Sequence, residues 1–234
     1  MSLNHSYSSL DLYAQCPRSW YVKQVLRTPE KPNNASVFGM AVHSAIEGVF
    51  KGAPIAASVA KATQDAALPV DEQQVFANTV AVPAQCGGEG RHAEEWLRMT
   101  LPGCDWPLVM KLDLWYKEGA VAYVWDWKTG KPYRPDKQVA LYAAAVMDAA
   151  GVDVVSGHLY FTKYQQDEAR TFTRKDVQKA VAWAAMLGAE IEEQYALVQV
   201  GGMDVLRAFP HKYCRECQWC TEQQTCYQSM DAAA

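Results

Sequence analysis

Hydrophobic spacing divides the chain into two regimes. Between residues 7 and 27, Leu10, Tyr13, Ala14, Trp20, Tyr21 and Val25 recur at helical intervals, and Pro17 stands where it breaks or restarts the helix. Residues 36–50, "SVFGMAVHSAIEGVF", repeat apolar positions at Val42, Ile46, Val49 and Phe50, which predicts a second helix. The Ala-rich stretch 51–104 reads as helical around 56–67 and 91–100. The period then changes. "WPLVMKLDLWY" and "AVAYVWDWK" are β-rich runs joined by "KEG", a hairpin signal. "PDKQVALYAAAVMDAAG" predicts a helix ended by Gly151, "DVVSGHLYFTK" a strand and "ARTFT" a short one. Thr173 and Asp176 open a helix over 174–198, with Val177, Val181, Ala184, Leu187, Ile191 and Tyr195 on one face. Helices, then β-β-α-β-β-α, then a cysteine-rich tail predict an α/β fold: a mixed sheet flanked by helices.

Composition narrows this. Of 234 residues, 50% are hydrophobic and 21% charged, with a net charge of −4. The chain is globular, with material for one sizeable core. It reads as a single domain: a helical part over 1–106, a core over 107–200 and a tail over 201–234. The N-terminus lacks the apolar run of a secretory signal, and no stretch of ~18 apolar residues suggests a membrane span. A reducing cytoplasm and no membrane partner are expected. Mild acidity excludes nucleic-acid binding by bulk charge but not by a local basic groove.

The hairpin carries the candidate chemistry. With the turn at Glu118-Gly119, Asp113 faces Val124, and Asp126 lies on the same face as Asp113, a diagonal neighbour ~7–8 Å away. Lys128 is two residues further, again on that face, and Trp127 points the other way. A solvent-facing charged stripe is the plain alternative. Against it, Leu112, Leu114, Val121, Tyr123 and Trp125 are apolar on one face, and Val109, Ala122 and Val124 on the other. Charges on a strand buried on both sides need partners such as a metal. Two carboxylates and an ammonium suit metal-assisted phosphodiester hydrolysis, with hard oxygen ligands favouring Mg²⁺ or Mn²⁺.

The seven cysteines are too many and too clustered to read as packing alone in a reducing compartment. Cys214-x₂-Cys217-x₂-Cys220 has the spacing to bind zinc with a fourth ligand. Cys16 and Cys226 are further candidates, and Cys86 and Cys104 read as packing thiols.

Six segments taken in order resemble the PD-(D/E)XK nuclease superfamily. The similarity is to RecB-like exonucleases with an iron–sulfur cluster, including CRISPR-associated ones and AddAB nuclease domains. The segments are "SYSSLDLYAQCPRSWY", "FGMAVHSAIE", "MKLDLW", "VWDWKTGK", "QVALYAAAV" and "CQWCTEQQTC". The resemblance covers roughly 7–50 and 94–228. It implies a restriction-endonuclease-like core and a metal site of His43, Asp113, Asp126 and the Trp127 carbonyl, with Asp113, Asp126 and Lys128 catalytic. It implies substrate positioning by Gln138 and Tyr142, which share a helix face. It also implies a structural [4Fe–4S] cluster on Cys16, Cys217, Cys220 and Cys226, leaving Cys214 spare and zinc as the alternative occupant. Glu47 reads as a neighbour of the site or a surface residue, and Glu94 as within reach of it. Lys131, Arg134 and Lys137 are candidate phosphate contacts.

The function so implied is a Mg- or Mn-dependent DNA exonuclease acting on single strands or free ends. Its expected setting is recombination, repair, phage DNA metabolism or CRISPR adaptation. The alternative is a cluster-bearing nucleic-acid-binding subunit active only within a larger complex. No Walker motif occurs, so any helicase, recombination or CRISPR partner is a separate protein.

Overall fold

A computed structural model of the chain describes residues 3–29, 32–86, 90–133, 136–214, 217, 220, 223 and 226. The chain forms two compact units. The smaller comprises Met1–Lys31, Met99–Val109 and Ala182–Ala234, and the larger Pro32–Arg98 and Met110–Val181.

The larger unit is built on a five-stranded mixed sheet in the order β1-β2-β3-β4-β5. The strands are β1 (His92–Met99), β2 (Leu108–Glu118), β3 (Val121–Lys128), β4 (Val154–Phe161) and β5 (Gln166–Thr173). β2 and β3 are antiparallel, β3 and β4 parallel, β4 and β5 antiparallel. The parallel pair needs a crossover, which is the helix Asp136–Ala150. The predicted mixed sheet flanked by helices is therefore present, and it has the character of a restriction-endonuclease-like core.

Helices Asn34–Phe50, Ile55–Gln64 and Glu72–Val80 precede the sheet. The first opens with a capping box between Asn33 and Ser36. Its Ala41, Val42, Ala45 and Ile46 pack with Val59, Ala62 and Val75 against Leu114, Tyr116, Trp125, Trp127 and Tyr160 of the sheet. On the crossover helix, Val139 meets β4 at Gly157. A Cβ there would lie 2.3 Å from Val139 Cγ1 and 2.9 Å from Phe172 Cε2. That glycine sets the height of the helix above the strands.

Two expectations are corrected. Residues 91–100 form β1, not a helix. Ala93, Trp96 and Leu97 mimic the i, i+3, i+4 spacing, but strand pairing at the sheet edge overrides it. The hairpin turn lies at Gly119-Ala120, not Glu118-Gly119, because Glu118 pairs with Val121. Gly119 has φ +61, the left-handed geometry that a tight hairpin demands at its first central position. The register moves by two, so every side chain keeps its face. Continuing the pairing Leu114↔Trp125 puts Asp113 directly opposite Asp126 rather than diagonal to it.

In the smaller unit, helices Tyr7–Gln15 and Pro17–Gln24 meet at Cys16, which ends one and caps the other. Pro17 at the first helical position restarts the helix, as its missing N–H permits. Tyr13, Trp20 and Tyr21 surround Phe209, with Trp20 stacked on it at 5.4 Å. Arg18 N–H donates to the Pro210 carbonyl at 3.2 Å, and Lys212 Nζ to that of Ala14 at 2.8 Å. Direct contacts thus already join the N-terminal helices to the C-terminal segment. The helix Arg174–Gln199, opened by Asp176 accepting from Thr173, contributes its residues from Ala182 on to this unit.

Candidate active site

Asp113 and Asp126, one position beyond the last registered pair Leu114↔Trp125, are both buried, at 8% and 5% exposure. Each is engaged differently. Asp113 Oδ2 accepts from the Trp127 amide at 2.7 Å. Asp113 Oδ1 accepts from His43 Nδ1 at 3.2 Å, and His43 Nε2 donates to the Trp127 carbonyl at 2.9 Å. Three of the four groups expected to hold a metal, namely His43, Asp113 and the Trp127 carbonyl, therefore touch one another. His43 reaches them from the helix Asn34–Phe50, one turn after Gly39, whose open side faces Thr129 at the end of β3.

With both ring nitrogens facing acceptors, His43 carries a proton. Burial pulls its pKa down, but the charge and hydrogen bond of Asp113, followed by the charge of Asp126, raise it to about 9. The imidazolium sits between an anion and a carbonyl, as a bound cation would.

Asp126 belongs to a second group. Its Oδ2 lies 2.5 Å from Lys128 Nζ yet has no aligned hydrogen-bond donor. Burial raises its pKa, and Asp113 adds to this, while Lys128 opposes it. Lys128 stays charged: burial acts against the ammonium, but Asp126 more than compensates. Gln138 links the group. It accepts from Lys128 Nζ at 3.4 Å and donates to Asp126 Oδ1 at 3.4 Å and to Tyr142 Oη at 2.9 Å. Gln138 and Tyr142 share a helix face, as their i, i+4 spacing predicts, and burial followed by Asp126 keeps the Tyr142 phenol protonated.

Glu94 is the residue that the sequence underrates. Ligand atoms of His43, Glu94 and Asp113 all lie within 4.8 Å of one another. Its backbone is left-handed, φ +55, inside an edge strand, where a non-glycine residue is strained. The kink breaks strand alternation, so no periodicity could reveal where the carboxylate points. Lys111 on β2 pairs with it. Burial raises the Glu94 pKa, Lys111 lowers it, and Asp113 raises it again. Glu47 pairs with Lys51 one turn along its own helix. Lys131 and Lys137 are exposed, and Arg134 lies outside the described residues.

The donor chemistry fits a hard divalent cation: carboxylates, an imidazole, a carbonyl and a buried Asp126 oxygen without a directed donor. A family model described as the PD-(D/E)XK nuclease superfamily matches residues 4–227. The chain belongs to the PD-(D/E)XK nuclease superfamily. That makes it a member of a class of metal-dependent nucleases, with DNA as the class of substrate. Among solved structures, one described as "Crystal structure of SSO0001" aligns over 97% of this chain and 88% of its own, at 9% identity and a TM-score of 0.42. No curated protein matches the sequence. Among the described residues of this superfamily member, no helix is long and apolar enough to cross a membrane.

Cys16 and the tail cysteines belong to the smaller unit. Cys226 is held above the usual thiol range by burial, then by Cys16, Cys217 and Cys220 in turn. Those three are thus its thiol neighbours. Cys214 sits beside Cys217, with Sγ atoms 3.9 Å apart and its N–H donating to Cys217 Sγ at 3.2 Å. Cys86 is fully buried in the sheet core, a packing thiol pushed up to about 12 by burial.

Proposed function

We propose that this nuclease is a Mg²⁺- or Mn²⁺-dependent deoxyribonuclease that degrades DNA from free or single-stranded ends. The observation that carries this reading is the cation-like bridging of Asp113 and the Trp127 carbonyl by His43, beside the buried Asp126–Lys128 pair. His43, Asp113, Asp126 and the Trp127 carbonyl hold the metal, and Glu94 is positioned to join them. A divalent cation held there would supply Lewis acidity and a water of lowered pKa. Lys128, kept charged by Asp126, offsets negative charge on the phosphate oxygens. Gln138 fixes the ammonium, and Tyr142 fixes Gln138. Lys131 and Lys137 are placed to hold the flanking backbone.

The cluster belongs to the same reading. Cys16, Cys217, Cys220 and Cys226 hold a structural [4Fe–4S] group, supported by the influence of the first three thiols on the fourth. One family model running from 4 to 227 supports treating both units as one nuclease domain. The reaction suits recombination, repair, phage DNA metabolism or CRISPR adaptation, with any helicase supplied in trans.

The test uses end-labelled linear and closed circular single strands with Mn²⁺. Stepwise loss from linear ends, circles left intact and no cleavage by Asp126→Ala support the reading. Cut circles make the enzyme an endonuclease. A protein that binds DNA and never cuts it is the binding subunit instead.

A further inference from the structure

A second constellation of metal-ligating side chains lies in the smaller unit, among residues that the nuclease chemistry does not use. His5 precedes the first helix and is fully buried. Its backbone is pinned on both sides: its N–H donates to the Pro107 carbonyl at 2.9 Å, and its carbonyl accepts from Val109 at 2.8 Å. Its Nε2 meets Glu192 Oε1 at 2.8 Å. Glu192, on the helix Arg174–Gln199, also accepts from the Asp105 amide at 2.7 Å and the Trp106 amide at 3.0 Å. Cys104 comes from the same turn, and its Sγ donates to the Ala185 carbonyl at 3.4 Å. One donor atom from each of His5, Cys104 and Glu192 lies within 4.8 Å of the other two.

The plain explanation is a capped turn: Glu192 satisfies two amides and takes a proton from His5. Two features exceed what a cap requires. The buried His5 ring leaves Nδ1 without a partner, so Nδ1 can carry the ring proton when Nε2 is given up to an ion. The helix is also bare where the donors meet, since a Cβ on Gly188 would lie 2.8 Å from Cys104 Sγ and 3.1 Å from His5 Nε2. A cap needs neither the thiol nor the glycine.

We propose that His5 Nε2, Cys104 Sγ and Glu192 bind one zinc ion, separate from both the nuclease centre and the tail cysteines. One imidazole, one thiolate and one carboxylate are a zinc donor set, with the fourth position left to water. Ligand bonds of about 2.0 Å place nitrogen and oxygen about 3.3 Å apart around a tetrahedral ion. The His5–Glu192 contact opens by roughly half an ångström to admit it. On binding, the Cys104 S–H bond breaks and its proton goes to solvent, the neutral His5 ring shifts its proton from Nε2 to Nδ1, and no electron is transferred. The thiolate and carboxylate then balance the dication. Burial, Glu192 and Asp105 in turn all disfavour the thiolate, and a cation between them reverses that. The ion would tie the N-terminal segment to the 101–106 turn and the long helix. Its closest contact, His5 to Glu192, spans 187 residues, so it closes a long loop of the unfolded chain.

The test is zinc content of the full-length protein by elemental analysis, beside melting temperature with and without added zinc. Tail cysteines contribute equally to every arm and cancel. Wild type is expected to hold one equivalent more than Cys104→Ser or Glu192→Gln, and to gain more melting temperature from zinc than either variant. Glu192→Gln keeps an oxygen for the backbone amides, so it decides the question if the serine variant folds poorly. Cobalt in place of zinc should give a thiolate-to-cobalt charge-transfer band, beside any from the tail cysteines, that loses the intensity of one thiolate in Cys104→Ser. Equal zinc content in wild type and Glu192→Gln overturns the proposal, as does a cobalt–thiolate band of undiminished intensity in Cys104→Ser.

Discussion

Metal binding at the nuclease centre should displace a proton from His43. Both ring nitrogens face acceptors, Asp113 Oδ1 and the Trp127 carbonyl, so neither is free to coordinate until a proton leaves. The pKa of about 9 sets the cost. At pH 7 the ring is two units below it, and each unit is a factor of ten, or about 1.4 kcal/mol. Apparent Mn²⁺ affinity should therefore be ~100-fold weaker at pH 7 than above pH 9, rising about tenfold per pH unit between. Calorimetric titration in buffers of different ionisation enthalpy should count about one proton released per metal at pH 7. His43→Gln keeps a donor and an acceptor but cannot titrate. It should bind more weakly, release no proton and show a flat profile. A wild type that releases no proton, or a glutamine variant that keeps the slope, refutes the reasoning. In chelator the same group links stability to pH. Its folded pKa lies above the ordinary 6.5, so its stabilisation is fully present below pH 6.5 and lost as pH rises through about 9. The full shift corresponds to about 3 kcal/mol. A side chain 32% exposed is partly screened, so about 1–3 kcal/mol is the expected fall, read by urea denaturation.

Lys128→Met leaves buried Asp126 without its cation and should cut the cleavage rate by about 10²–10³-fold in single-turnover assays. Gly157→Ala drives a methyl into Val139 and Phe172 and should cost about 1–3 kcal/mol by urea denaturation, with Gln138 displaced and cleavage reduced. A neutral result would mean that the crossover helix is not seated by that glycine. Cys16→Ser should abolish the visible sulfur-to-iron charge-transfer absorption of anaerobically purified protein, whereas Cys214→Ser should retain it.

The hairpin was legible because β2 and β3 are apolar on both faces, a pattern that no single helical stripe gives. The shared face of Asp113, Asp126 and Lys128 was also legible, since an even slip of the turn leaves side-chain parity intact. The turn itself was misplaced because Glu118 and Gly119 look as good a central pair as Gly119 and Ala120. Only the pairing of Glu118 with Val121 separates them. β1 was hidden by Ala93, Trp96 and Leu97, whose spacing suits a helix until an edge strand is offered. Glu94 was hidden by a backbone kink, which local pattern does not encode. Cys104 read as a packing thiol because His5 lies about a hundred residues before it and Glu192 about ninety after it in sequence.

The charge balance of the centre explains why so many ionisable groups are kept together out of water. Asp113, Asp126 and Glu94 are three carboxylates, and at neutral pH they face three cationic partners, His43, Lys128 and Lys111. Each carboxylate has one cation against it, which is what a buried anion requires if it is not to take up a proton. Replacing the His43 proton by a dication leaves the imidazole neutral and makes the centre positive by one charge. A phosphodiester carries one negative charge, so substrate and metal together restore the balance that the imidazolium held alone. On the proposed reading the centre would favour the scissile phosphate only once a metal is bound, and His43 would couple the two events.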